Sequence, residues 1–361
     1  MYKCEILADS MNPQGDRITT FKLTYPRIIH AELMTHRMFS RNSASSRAIP
    51  FKKMVEMVEE DPFIPIVWQK DHKGMQGGEY VTDENKIEEY VATWLYARDK
   101  AIQCAKTLNS NKGNDIPVTK QLCNRLLEPF MWHTVLVTAT EYDNFFELRC
   151  PKYIFGINTD KPKIWKSKRD AIKYFPEWET HNDLFWNTMN YSQADIHIQA
   201  IAEMMWDAYN ESTPKKLEAG EWHIPYGDNL DAEKLMNLYY DHKNLRGGIS
   251  YDSLSLKIST ARAARISYTT LGDNPKIDYE ADIKLHDRLL LDKHLSCFEH
   301  CARAMNNEEY ETFVKGQIIR VGCEIERHDK GDYSEDVVIK KDIQGWCNNF
   351  KGFIQYRYLS K

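Results

Sequence analysis

The sequence predicts an α/β protein of the α+β kind, and three patterns carry that expectation. Residues 17 to 29 concentrate the β-formers Ile18, Thr19, Thr20, Phe21, Leu23, Thr24 and Tyr25, which read as a strand. Thr134 to Ala139 read as a second strand. Three longer stretches instead place apolar side chains at helical spacing, the mark of helices that lay one face on a core.

In chain order, the strand at 17–29 leads into a polar segment, and Pro26 marks it as an edge strand or a strand end, because proline has no ladder donor. From Asp83 to Leu108 the residues Ile87, Val91, Trp94, Leu95, Ile102 and Ala105 form one stripe, broken only by Arg98, with Thr82 or Asp83 as the cap. This long helix reads as scaffold. Residues 119 to 128 read as a short helix, and 194 to 209 as a helix with Ile198, Ile201, Met205 and Tyr209 on one face. Residues 281 to 292 are helical, with Ile283, Leu285, Leu289 and Leu290 set among charges. The charged stretch 324 to 342 reads as a solvated excursion. The tail, Asn349 to Arg357, turns apolar again and is expected to dock. No internal repeat or low-complexity tract is present.

At 361 residues the chain can bury a large core. Its formal charge of −5 and pI near 6.2 argue against a general nucleic-acid or membrane-surface binder, which needs a broad basic field. Any phosphate site must be local. The start lacks a basic and apolar leader, and no apolar run approaches the ~20 residues of a membrane span, so a soluble, cytoplasmic protein is expected. The eight cysteines include no Cys-x-x-Cys pair and are expected to be reduced thiols. Cys297, His300 and Cys301 lack the matching second pair of a structural zinc site, so no metal is expected. No glycine-rich dinucleotide or phosphate-loop fingerprint occurs, and Gly77-Gly78 sits in a polar loop.

The most informative segment runs from His36 to Arg47, His-Arg-Met-Phe-Ser-Arg-Asn-Ser-Ala-Ser-Ser-Arg. Its guanidinium groups are forked donors that match phosphate oxygens, and its Ser and Asn side chains add short hydrogen-bonding groups. Composition alone equally allows a polar loop making its own turns. The run resembles the signature of flavin-dependent thymidylate synthases, Arg-His-Arg, two residues, Ser, one residue, Asn-Glu, one residue, Ser, one residue, Arg-Tyr. Here it reads Thr35-His36-Arg37, Ser40, Asn42-Ser43, Ser45 and Arg47-Ala48. Two downstream blocks, Ala263-Ala264-Arg265-Ile266-Ser267-Tyr268 and His294-Leu295-Ser296-Cys297-Phe298-Glu299-His300, resemble that family's Ala-Ala-Arg-Val-Ser and His-x-Ser/Thr-Pro-Phe-Glu-His. Arg125-Leu126-Leu127-Glu128-Pro129, Asn144-Phe145-Phe146-Glu147-Leu148-Arg149 and Ser192-Gln193-Ala194-Asp195-Ile196 resemble three more of its blocks.

The downstream blocks usually precede the signature, so the chain resembles a circularly permuted member, a form associated with bacteriophage genomes. Permutation is physically tolerable because domain termini often lie close together. The resemblance implies a mostly antiparallel sheet flanked by helices, with 1–209 as one half, 210–250 as a connecting segment and 251–361 as the other half of a single catalytic domain. It makes 151–191 an insertion.

The resemblance further implies reductive methylation of dUMP to dTMP, with FAD as redox cofactor and methylenetetrahydrofolate and NADPH as co-substrates, in a homotetramer with sites between subunits. It assigns His36, Arg37, Met38, Ser40, Asn42, Asn144 and Ser267 to the flavin. Glu32, Ser45, Arg47, Arg125 and Arg149 would meet the deoxynucleotide monophosphate, and Arg149 and His294 would serve the chemistry. On their own, Asn144 and Ser267 read as structural, His294 as a turn holder, Glu299 and His300 as helix-start scaffolding, and Arg149 as an ion-pair partner of Glu147 or Asp143.

Four positions depart from the signature: Thr35 for arginine, Ser43 for glutamate, Ala48 for tyrosine and Glu32 for glutamine. Losing the arginine and the glutamate together could delete a mutual pair without a charge cost. An ionised Glu32 only accepts hydrogen bonds. It could take them from a cytosine amino group, which opens a flavin- and folate-dependent hydroxymethylase or methylase of dUMP or dCMP, or it could pair with Arg47 or Arg125. A non-catalytic nucleotide-binding relative is the remaining reading.

Overall fold

In the computed structural model, residues 1–73, 79–113, 116–156, 162–227, 230–243, 251–267, 278–313 and 344–360 are described. The stretch 324–342, Cys323, Tyr268 and the pairs Gly77-Gly78 and Gly247-Gly248 lie outside them.

The main sheet is built on its most buried strand. The strands β1 (Lys3–Met11) and β2 (Arg17–Pro26) pair antiparallel, and Leu23, Phe21 and Tyr25 of β2 are fully buried. With β3 (Ser40–Ser43) and β4 (Trp132–Ala139) the sheet grows antiparallel on the other side of β2. Pro26 ends β2, as a residue without a ladder donor should. Two short hairpin strands, β5 (Tyr153–Phe155) and β6 (Lys163–Trp165), stand apart. The strand β7 (Lys215–Lys216) joins β1 in parallel, giving the order β3-β4-β2-β1-β7. A smaller sheet holds β8 (Trp222–His223), β9 (Ala302–Ala304) and, beyond a hairpin of β10 (Trp346–Cys347) and β11 (Phe350–Lys351), β12 (Phe353–Gln355).

The helices cover both faces of the sheet. The first are α1 (His30–Leu33), α2 (Phe51–Glu60) and α3 (Glu84–Leu108), the last capped by the Asp83 side chain. Next come α4 (Lys120–Cys123), continued as a 3-10 turn to Phe130, and α5 (Asp143–Arg149). Residues 151–191 carry α6 (Lys168–Tyr174) and α7 (Asp183–Met189), and α8 (Ile196–Glu211) follows. On one face Ile198, Ile201, Ala202 and Met205 of α8 pack with Phe145 and Phe146 of α5 against Phe21, Leu23, Val135 and Val137. That stripe repeats at the 3.6-residue period that lets a helix lie on a sheet. The stretch 210–250 carries β7, β8 and α9 (Ala232–Lys243). The opposite face of the sheet is met by α10 (Tyr251–Arg265), whose Ala263 packs with Leu7, Leu136 and Phe298, and α11 (Tyr279–Leu291) lies on α10. The helix α12 (Asn307–Thr312) opens with a capping box between Asn306 and Glu309. The architecture is therefore α+β with an antiparallel main sheet, as the sequence predicts, and the tail docks, with Phe350 and Phe353 fully buried.

On the α10 face a buried polar chain replaces aliphatic packing. Ser10 Oγ meets His223 Nδ1 at 2.9 Å, and His223 Nε2 meets Thr20 Oγ1 at 2.8 Å. Thr20 Oγ1 and Thr138 Oγ1 lie 2.7 Å apart, and Thr138 reaches His300 Nδ1 at 2.8 Å. Burial pushes both imidazoles down to about 3, so they are neutral.

The segment 151–191 has its own aromatic core, in which Trp178 and Trp186 stand with Tyr153. It clasps α8 through Glu203, which accepts from the Lys168 backbone N–H at 2.5 Å and from the Tyr153 hydroxyl at 3.5 Å.

Candidate functional site

The signature begins where β2 stops. A 3-10 turn over Arg27–Ile29 leads into α1, which sets Leu33 into the core. Successive backbone bonds then curl the chain: Met34 N–H donates to the His30 carbonyl, Thr35 to Glu32, His36 to Leu33 and Phe39 to His36. Arg41 on β3 fastens the curl, Nη1 donating to the Met34 carbonyl at 2.8 Å and the His36 carbonyl at 3.3 Å. The tail fastens it again, Asn349 Nδ2 donating to the Met38 carbonyl at 2.9 Å and to Ser40 Oγ at 3.1 Å. Gln355 Nε2 also donates to Ser40 Oγ, at 3.3 Å.

Against this loop stands α5. Asn144, Phe145, Leu148 and Arg149 fall one turn apart and share one side of the helix. The loop residues Thr35 to Phe39 and these four line a cavity of about 410 Å3, with Glu141 and Trp346 completing the wall. Arg37, Asn144 and Leu148 are exposed, while His36, Phe39 and Phe145 are buried.

Arg149 is the best-anchored group here. Its Nε donates to His36 Nε2 at 3.0 Å, Nη1 to Glu32 Oε2 at 3.4 Å and Nη2 to Thr35 Oγ1 at 3.4 Å. A guanidinium has five N–H donors; among the described residues three are taken and two remain. Burial first, then the Arg149 and Arg41 charges, push His36 down to about 4. His36 is therefore neutral near pH 7 and, with Nε2 accepting, carries its proton on Nδ1. Its ring stacks on Phe39, centroids 5.7 Å apart, and meets the edge of Phe145 at 4.9 Å. Burial first, then the Asp195 charge, raise the Glu32 carboxyl against the pull of Arg149.

The remaining signature residues lie along or beyond β3. Ser40 is 1 % exposed and committed to the tail, and Asn42 is buried in the sheet with its Oδ1 unpartnered. Ser45 N–H donates to the Ser267 carbonyl at 2.9 Å, and Ser46 Oγ donates to Glu128 at 2.6 Å. Arg47 Nε donates to Gln121 Oε1 at 3.1 Å, and Arg47 and Arg125 are both exposed. Ser45, Arg47, Arg125 and Ser267 thus sit at the other end of β3 from the cavity, and none of them lines it. His294 is exposed in the turn after α11, its N–H donating to the Leu289 carbonyl, and is likewise absent from the cavity wall.

Two pairings differ from the sequence expectation. Glu32 pairs with Arg149, not with Arg47 or Arg125, because α5 brings Arg149 over α1. Arg149 pairs with Glu32, not with Glu147 or Asp143, since Glu147 is held by Lys152 at 2.7 Å and Lys166 at 3.1 Å from the insertion. Thr35 donates to the Glu32 carbonyl and accepts from Arg149. Sequence reasoning missed Arg41, Glu141, Trp346 and Asn349. Arg41 lay inside the signature and could have been found there; Trp346 and Asn349 carry no local signal.

No family model matches this sequence, and no curated protein does. Two solved structures of the UMP/dUMP methylase PolB from Streptomyces cacaoi are similar to this chain. The one bound with 5-Br dUMP has 14% identity and a TM-score of 0.36, covering 54% of this chain and 66% of that chain, so the match spans just under two thirds of its length. The one bound with 5-Br UMP has 14% identity and a TM-score of 0.38, covering 58% of this chain and 89% of that one. Among the described residues, no helix is long and apolar enough to cross a membrane.

Proposed function

We propose that this protein is a flavin-dependent methylase of a pyrimidine deoxynucleoside monophosphate, converting dUMP to dTMP with methylenetetrahydrofolate as carbon donor and NADPH as reductant. One observation carries the reading. The signature residues His36, Arg37 and Met38 and the distant block residues Asn144 and Arg149 meet at one cavity, although more than a hundred residues separate the two groups. The donor set suits an anionic, planar ligand: two guanidinium groups, a carboxamide and the neutral His36 ring among aromatic walls.

His36, Arg37, Met38 and Asn144 would hold FAD, which supplies the redox chemistry when bound. Arg149 would set its two remaining N–H groups against the pyrimidine, stabilising the negative charge that develops as the ring becomes nucleophilic. No thiol is required. Ser45, Arg47 and Arg125 would grip the nucleotide phosphate. Since they gather away from the cavity of their own chain, the reading includes a homo-oligomer, with a tetramer implied by the resemblance, in which another copy completes each site. The Glu32–Arg149 pair weakens the case for cytosine, because it gives the carboxylate a partner other than an exocyclic amine.

The test is incubation with FAD, NADPH, methylenetetrahydrofolate and either dUMP or dCMP, with products identified by mass. A methylated uracil nucleotide supports the proposal. A hydroxymethylated or cytosine product replaces it with the alternative enzyme. Purified protein with no flavin absorbance near roughly 450 nm and no turnover would make the protein a non-catalytic nucleotide binder.

A further inference from the structure

The groups behind Arg149 carry one inference more, which rests on the proposed pyrimidine site. Glu32 accepts from Arg149 Nη1 at 3.4 Å, yet it is no part of the cavity wall that Arg149 and Thr35 line. Thr35 ties the two together: its hydroxyl donates to the Glu32 carbonyl at 2.7 Å and accepts from Arg149 Nη2. The two departures from the signature at 32 and 35 therefore meet on one guanidinium. An arginine at 35 would set a second cation against Arg149, whereas threonine removes it and Glu32 adds a counter-charge.

We propose that Glu32 is a positioning residue, which fixes Arg149 so that its two remaining N–H groups face the pyrimidine, and that Glu32 does not read the base. Burial first, and then the charge of Asp195, raise its carboxyl; Asp195 is the cap of α8, and its Oδ1 accepts from the His197 backbone N–H at 2.8 Å. The groups that bear on Glu32 are Arg149 from α5, which favours the carboxylate, and Asp195, which opposes it; His36 in the signature loop is neutral. As pH falls, Glu32 takes a proton and its hold on Arg149 slackens. Removing the Asp195 charge delays that loss to lower pH, and the carboxamide introduced by Asp195→Asn would still cap α8.

The experiment follows dUMP and dCMP binding and turnover from about pH 4.5 to about pH 8, which spans the carboxylate and histidine range, in the wild type, Glu32→Gln, Glu32→Ala and Asp195→Asn. Glu32→Ala should weaken dUMP by up to about fivefold, the most that a part-exposed pair at 3.4 Å can hold. Glu32→Gln should restore most of that affinity, because its amide oxygen still accepts, and should erase the acid limb. Asp195→Asn should move the limb to lower pH at an unchanged melting temperature. A tenfold or greater change in the dUMP-to-dCMP ratio (roughly 1.4 kcal/mol) in Glu32→Gln would overturn the proposal, as would an unmoved limb in Asp195→Asn. If the wild type binds neither nucleotide, the proposed function fails separately. The hold is then read from the nitrogen-15 resonance of Arg149 Nε–H, which should broaden in Glu32→Ala and persist in Glu32→Gln; a resonance unaltered in Glu32→Ala refutes it.

Discussion

Replacing Arg149 with lysine keeps the charge and removes the fork. The three anchors leave one guanidinium plane from three different nitrogens, to His36 at 3.0 Å and to Glu32 and Thr35 at 3.4 Å each. A lysine ammonium is a single point donor on a flexible stem and cannot span them. Two of the anchors are long, and the Arg149 and Glu32 side chains are 21% and 37% exposed, so the ion pair contributes only ~0 to 1 kcal/mol to folding. In a chain of this size that shifts the melting temperature by no more than about 4 °C. The expected effect on turnover is of another order. Removing a preorganised donor at a developing oxyanion costs roughly 100- to 1,000-fold in kcat. Steady-state turnover with dUMP, set beside a thermal melt, separates the two effects. Intact turnover in Arg149→Lys, together with its abolition by a single Cys→Ala change, would refute the mechanism.

Arg37→Ala should raise the flavin dissociation constant at least about tenfold, since a charge-assisted phosphate contact is worth ~1.5 to 3 kcal/mol; unchanged flavin occupancy of the purified variant counts against that role. Mixing Arg47→Ala with Arg149→Ala should restore activity that neither has alone, because one kind of shared site then keeps both arginines. Persistent inactivity of a verified mixed oligomer would place the phosphate grip elsewhere. Acid should destabilise the fold well above the carboxylate range. His223 and His300, held near about 3, and His30 and His36, held near about 4, stay neutral while the unfolded chain gains protons below ~6.5. Stability is therefore full above that pH and lost as pH falls toward the folded values. Glu203, raised to about 7 by burial, acts in the opposite sense, but as one carboxyl against several imidazoles. The urea midpoint should drop between about pH 7 and pH 5, and an unchanged midpoint contradicts the buried neutral state.

What could be read from the sequence was whatever leaves a local period. The stripe Ile198, Ile201, Met205 gave α8 to within two residues, and the β-branched run gave β2. By contrast β1 was invisible, because the alternation of Lys3, Cys4, Glu5 and Ile6 breaks at Leu7 and Ala8, where a bulge shifts the register, and its strand character comes from pairing with β2. The helix α10 was invisible for another reason. Ser255, Ser259 and Thr260 are buried alongside Leu254 and Ile258, so its inward face mixes polar and apolar residues and the helical period is lost. The expected helix at 119–128 is α only to Cys123 and tightens to 3-10 before Pro129, where proline removes a donor. Within the site, Arg37 and Arg149 could be paired through their motifs. The Glu32–Arg149 contact could not, because it depends on how α5 crosses α1.

The clasp of Asn349 on the Met38 carbonyl spans 311 residues of chain. On the ribosome the signature loop is made early, and the tail residue that fastens it again emerges 311 residues later. The main sheet can form from β1 to β4 well before then, with Arg41 and Arg149 holding the loop, but the Met38 carbonyl would wait for the tail to arrive. Ligand affinity should thus lag the sheet during synthesis, and a product released before residue 349 should retain the sheet while lacking a finished cavity.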